Sequence, residues 1–108
     1  MQEAQSLEQV QSFVKSEKIS LLYISRPNCS VCVSLLPQVE ELLEDYPQVQ
    51  TLYVNADEIT EIAGDYSIFT VPVIIVSVEG KEMFRKARIV PMDELNHQLH
   101  KITSLMEE

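Results

Sequence analysis

A seven-residue apolar run, "ISLLYIS" from Ile19 to Ser25, is followed three residues later by "CSVC", which holds the only two cysteines of a 108-residue chain. A run this short and this continuous reads as a strand buried on both faces. Pro27 cannot donate a ladder hydrogen bond, so the strand ends before the cysteines begin. From Cys29 to about Asp45 the pattern turns helical, with Cys32, Leu36, Val39 and Leu43 on one stripe and Glu40, Glu41 and Glu44 on the other side. Pro37 falls inside that helix and removes the amide that would bond the Val33 carbonyl, so a kink is expected there.

The rest of the chain builds around this strand and helix. Ser6 to Lys18 reads as a helix, with Leu7, Val10, Phe13 and Val14 at helical spacing and Ser6 with Gln9 as a capping box. "VQTLYVN", Val49 to Asn55, alternates as a second strand, and Asp57 to Tyr66 reads as a short acidic helix ending near Gly64. Joins this short between strand, helix and strand imply two parallel strands with a crossover. "VPVIIVSV", the turn "EGK" and "EMFRKARI" then read as a hairpin, and a last helix follows Pro91, with Leu95, Leu99, Ile102 and Met106 on one face. "MQEAQ" is too short and polar to be read as a strand. The order α, β, α, β, α, β, β, α predicts an α/β fold with a mixed sheet of about four strands and helices on both sides. Residues 1–108 are expected to form one domain.

What the cysteines do follows from where they sit. A loop closed across two intervening residues is too short to brace a fold, so the pair is not there for stability. A thiol at the first turn of a helix lies near unpaired amides and the positive end of the macrodipole, which favours its thiolate. Cys29 is therefore the expected nucleophile. Cys32, three residues on and one turn deeper, is placed to resolve a mixed disulfide formed at Cys29. Metal binding is not expected: the other ligand-type pair, His97 and His100, falls on the polar side of the last helix, far along the chain from the cysteines. No bound cofactor is needed for thiol exchange.

A formal net charge of -9 argues against nucleic acid as a partner and favours a soluble monomer. "GKEMFRKAR" is a local exception, with Lys81, Arg85, Lys86 and Arg88. It reads first as an edge strand protected by charge, and second as a docking patch for an acidic partner. "MQEAQSLEQV" has neither a basic nor an apolar region of the kind that starts a secretion signal, and "VPVIIVSV" is too short to span a bilayer. The cytoplasm is the expected compartment and no membrane association is expected.

A C-x-x-C pair directly after the first strand of a βαβ unit is the setting of a thioredoxin-like redox motif. Over nearly its whole length the chain resembles the thioredoxin family, in which the helix carrying the cysteines kinks at a proline five residues after the second, here Pro37. The resemblance implies that Pro72 in "FTVPVII" is a cis-proline facing the cysteines and that the backbone of Val71 pairs with a bound substrate segment. The Gly80-Lys81 turn and the helix from Asp93 to Met106 match in place. It also implies a thiol-disulfide oxidoreductase that reduces protein disulfides and maintains redox homeostasis. An NADPH-dependent disulfide reductase or a low-molecular-weight thiol would recharge it.

The sequence departs from the family pattern around the motif. Asn28 stands where a Trp usually precedes the first cysteine, and Ser30 and Val31 stand where Gly-Pro usually separates the two. These three residues are expected to shape the substrate contact. Tyr23 replaces a buried Asp that helps take the proton from the second thiol, and a phenol with an ordinary pKa near ~10 is a poor base at neutral pH. Arg26 is a candidate for lowering the Cys29 pKa, and Tyr23 for altering proton transfer. Arg88 takes the place of a glycine after the fourth strand. The loss of Trp, Gly-Pro and Asp leaves a second reading, a non-enzymatic module that docks partners or senses redox state through the same groove.

Overall fold

The computed structural model describes residues 1–106 and follows the expected element order with shifted ends. Helix α1 (Leu7–Ser16) begins after Ser6, whose extended backbone leaves its Oγ to accept the Gln9 N–H at 3.1 Å. Gln9 answers one residue earlier than a capping box requires, its Oε1 accepting the Gln5 N–H at 2.6 Å.

Strand β1 (Ile19–Ser25) is buried at all seven residues, which is why its sequence shows no alternation. Its side chains divide between two cores. Ile19, Leu21 and Tyr23 meet Leu35 and Val39 of α2 (Ser30–Leu43) and Leu95, Leu99 and Ile102 of α4 (Met92–Met106). Leu22 and Ile24 meet Val10 and Val14 of α1 and Ile62 of the one-turn helix α3 (Ile62–Asp65). Helices therefore cover both faces of the sheet.

Strand β2 (Gln50–Asn55) runs parallel to β1, with α2 as the crossover, and buries only Leu52 and Val54, the alternation of an outer strand. β3 (Val73–Val78) and β4 (Lys81–Ala87) form the hairpin, and the sheet order is β2-β1-β3-β4. Glu79 and Gly80 between them both take positive φ, +49° and +87°, as a two-residue turn matched to strand twist requires. Opposite Val76 and Ser77 the register slips past Met83, a bulge in the exposed edge.

Three local expectations need correction. The stretch from Asp57 to Tyr66 is helical only over Ile62–Asp65. Asn55 closes a single turn, its side-chain oxygen accepting the Asp57 N–H at 2.9 Å and its backbone oxygen accepting from Glu58 and Ile59. The chain then passes through a second turn, the Ile62 N–H on the Ile59 oxygen, before the helix forms. On α2 the deeply buried stripe runs Cys32, Leu35, Val39, and Leu36 is only partly buried. The polar "MQEAQ" segment does pair: the Ala4 N–H reaches the Tyr53 oxygen and the Tyr53 N–H the Gln2 oxygen, each at 2.8 Å, covering the free edge of β2.

Candidate active site

The end of β1, the start of α2 and the approach to β3 meet at one end of the sheet. Asn28 takes φ +64°, a left-handed turn that Asn tolerates better than most residues, and turns the chain into the helix. Cys29 is the N-cap of α2 rather than its first residue. Its Sγ accepts the Cys32 N–H at 3.1 Å in the place of the usual hydroxyl or carboxylate cap. The sulfur that must carry negative charge in the reduced protein thus sits on a free amide at the positive end of a helix.

Cys29 and Cys32 are joined as a disulfide with their Cα atoms 5.2 Å apart. The two are unequal in access. Cys29 is partly exposed, whereas Cys32 is 2% exposed and lies beneath it. The Val71–Pro72 peptide is cis, and Pro72 is buried across from the motif. Between them runs a groove of about 430 Å³, lined on one side by Arg26, Asn28, Cys29, Ser30 and Val31, and on the other by Val71 and Pro72 with their neighbours. The structure therefore brings together every candidate site residue except Cys32 and Tyr23, which lie under the groove. Val71 has no hydrogen-bond partner among the described residues and lines the groove.

Tyr23 is fully buried, stacked on Tyr53 with centroids 5.9 Å apart, and its hydroxyl donates to the Cys32 carbonyl at 2.6 Å. Burial, and secondarily the neighbouring Tyr53, push its pKa well above the ordinary phenol value. It is a donor clamped on the motif and no proton acceptor at neutral pH. Arg26 sits on the groove rim, where its Nε lies 3.5 Å from Asp57 Oδ1, so its charge is shared with a carboxylate.

Most other charged side chains have no ion-pair partner among the described residues, but two cations of the basic segment do. In the basic segment Arg85 meets Glu82 at 2.8 Å and Lys86 meets Glu94 at 3.1 Å, which leaves a weaker docking patch than the sequence suggests. His97 and His100 are both exposed on α4.

Sequence reasoning missed the far wall of the groove. Phe69, Thr70 and Ile89 line it, with Phe69 92% and Ile89 77% exposed. A signal was present: Phe69 is a large apolar residue belonging to no helix stripe and no strand alternation. Arg88 also lines the groove, at φ +67°, the left-handed geometry that explains why a glycine suits this position.

Comparison with known proteins agrees with this geometry. The thioredoxin family model matches residues 2–101. The thioredoxin-like protein YdfQ of Bacillus subtilis is 40% identical over 102 residues, covering 94% of this chain and 91% of the relative. The thioredoxin of Mycoplasma genitalium is 26% identical over 93 residues, covering 86% and 91%. Among solved structures, Plasmodium falciparum thioredoxin superposes with a TM-score of 0.84 at 18% identity, covering 94% of this chain and 98% of that one. The oxidised mitochondrial thioredoxin 3 of Saccharomyces cerevisiae gives 0.82 at 16% identity, covering 94% of each. At such low identity these two likenesses speak for the fold. Fold, motif and family match together define a thiol-disulfide oxidoreductase scaffold. The chain belongs to the thioredoxin family.

Proposed function

We propose that this protein reduces disulfides in other proteins in the cytoplasm, acting as a monomer without a bound cofactor or metal. The observation that carries the reading is the asymmetry of the pair: Cys29 reaches the groove with an amide on its sulfur, and Cys32 waits buried below. In the reduced protein the Cys29 thiolate attacks one sulfur of the target disulfide, forming a mixed disulfide and releasing the other target sulfur as a thiolate that takes a proton. Cys32 then loses its proton, attacks Cys29 Sγ, and displaces the second target thiolate. Two electrons pass from the dithiol to the target, whose two thiols take one proton in exchange for that released by Cys32 and one from solvent.

Val71 and Pro72 hold the target backbone, while Asn28, Ser30 and Val31 form the wall beside the attacking sulfur. An NADPH-dependent disulfide reductase, or a low-molecular-weight thiol, returns the two electrons. Reducing power held in the cytoplasm and directed at protein disulfides amounts to a role in redox homeostasis.

One observation favours a second reading. Tyr23 offers no base beneath Cys32, so a module that forms mixed disulfides and releases them slowly, docking or sensing rather than turning over, also fits. Trapping decides on roles. Cys32→Ser should accumulate mixed disulfides with cell proteins through Cys29, and Cys29→Ser should not. Equal trapping by both would refute the assignment. Equilibration of the wild type in graded thiol buffers, read by alkylation and mass, gives the direction: a strongly reducing midpoint supports a reductase, and an oxidising one overturns it.

A further inference from the structure

Resting on the disulfide-reductase reading of the same groove, we propose that it selects extended protein segments bearing a carboxylate and a bulky apolar side chain beside the target disulfide. Arg88 meets the carboxylate, and Phe69 with Ile89 meets the apolar group.

The charge distribution points this way. The chain carries a net charge of -9, yet the groove is lined by two arginines and by no carboxylate. Arg26 is already opposed by Asp57. Arg88 has no ion-pair partner among the described residues. Its place is fixed from the backbone: φ is +67°, and its N–H donates to the Pro72 carbonyl at 2.8 Å, which ties it to the residue facing Cys29. An arginine held in a geometry that disfavours L side chains, at the mouth of a reactive groove, puts a cation where a target segment must pass.

The apolar half is equally local. Phe69 and Ile89 hold most of their surface out to water on the wall facing the cysteines. Single exposed apolar residues are ordinary, but two of them lining one groove form a surface that gains from being covered. A small thiol bearing carboxylates would satisfy Arg88 and leave both uncovered. A strand paired at the Val71 backbone presents side chains over the whole wall.

At ~0.15 M ionic strength the many distant carboxylates of the chain, beyond about 8 Å, are screened, while a contact with Arg88 persists. The test is single-turnover reduction by pre-reduced protein of three disulfide peptides that differ only in Glu, Gln or Lys next to the target cysteine, each with a neighbouring Leu. The Glu peptide should react about threefold faster than the Gln peptide, the scale of one exposed ion pair, with Lys slowest. Arg88→Gln should bring the Glu-to-Gln ratio to about one or below, and Arg88→Lys should retain a preference. Lys101→Gln, remote on α4, should leave the ratio as it is. Replacing the peptide Leu by Ser should slow reduction, and Phe69→Ala should shrink that difference.

Equal rates for the three peptides, or a Glu preference that survives Arg88→Gln, overturn the specificity while leaving the reductase reading intact. Faster, Arg88-dependent reduction of glutathione disulfide than of the Glu peptide assigns the groove to small thiols and overturns it as well. A protein that reduces neither the peptides nor a small aromatic disulfide fails as a reductase, and both readings fall together.

Discussion

The Tyr23 hydroxyl donates to the Cys32 carbonyl at 2.6 Å, so the residue that stands in place of a buried carboxylate holds the motif from below instead of serving it as a base. Removing the hydroxyl should loosen the helix start without touching proton transfer. Tyr23→Phe is expected to cost about 1 kcal/mol of stability in denaturant unfolding, the usual net value of a buried hydrogen bond. Closure of the Cys29–Cys32 disulfide from a Cys29 mixed disulfide should stay within about twofold of wild type, since a phenol this far from ionising relays no proton. A tenfold slower closure would show that the phenol takes part.

Burial also gives Tyr23 a signature at high pH. Its folded-state pKa lies above the ordinary value, so between ~10 and the folded value the unfolded chain has lost a proton that the folded chain keeps. Stability linked to this group is therefore intact below pH ~10 and falls as pH rises above it, by about 1.4 kcal/mol per pH unit for each such phenol. Tyr46 and Tyr66 are shifted in the same direction, first by burial and then by their neighbours Asp45 and Asp65. Tyr23→Phe should make the alkaline limb of a stability-against-pH curve shallower by one phenol's share. An unchanged limb would mean that Tyr23 ionises in the folded protein as readily as in the unfolded one.

Helix α1 offers a check on local structure far from the groove. Ser6 Oγ accepts the Gln9 N–H, one of the donors that the first turn leaves without a partner. Ser6→Ala should cost about 1 kcal/mol in denaturant unfolding. Asp or Asn at the same position should recover most of it. A loss confined to a few tenths of a kcal/mol would show that the Gln9 and Gln5 contact carries the cap alone.

The fold was legible where a single physical requirement dominates a stretch of chain. "ISLLYIS" must be buried on both faces, and β1 is buried throughout. Cysteines directly after it at a helix start have few other places to go, and the prolines at Pro37 and Pro72 agree with that placement. Legibility failed where main-chain pairing leaves no side-chain pattern: the acidic stretch after Asn55 runs through two separate turns before it becomes helical at Ile62, and a five-residue polar segment pairs with Tyr53 through backbone groups alone. The far wall of the groove was hidden for a different reason. Phe69, Arg88 and Ile89 belong to loops with no period, and only the fold brings them opposite Cys29.

Arg88 separates a backbone effect from a charge effect at one position. At φ +67° an L side chain is disfavoured by roughly 1–2 kcal/mol, and glycine escapes that penalty. Glycine brings its own penalty, because the unfolded chain gains freedom worth about 0.5–1 kcal/mol. The two terms oppose, so Arg88→Gly should leave stability between unchanged and about 1.5 kcal/mol higher. Arg88→Ala keeps the strained geometry and should be the less stable of the two variants by up to about 1.5 kcal/mol. Both lose the guanidinium, so both should lose the preference for the Glu peptide alike. Paired unfolding curves and peptide rates check this together. Preference retained by the alanine variant but lost by the glycine variant would place the specificity in the backbone of the groove rather than in the cation.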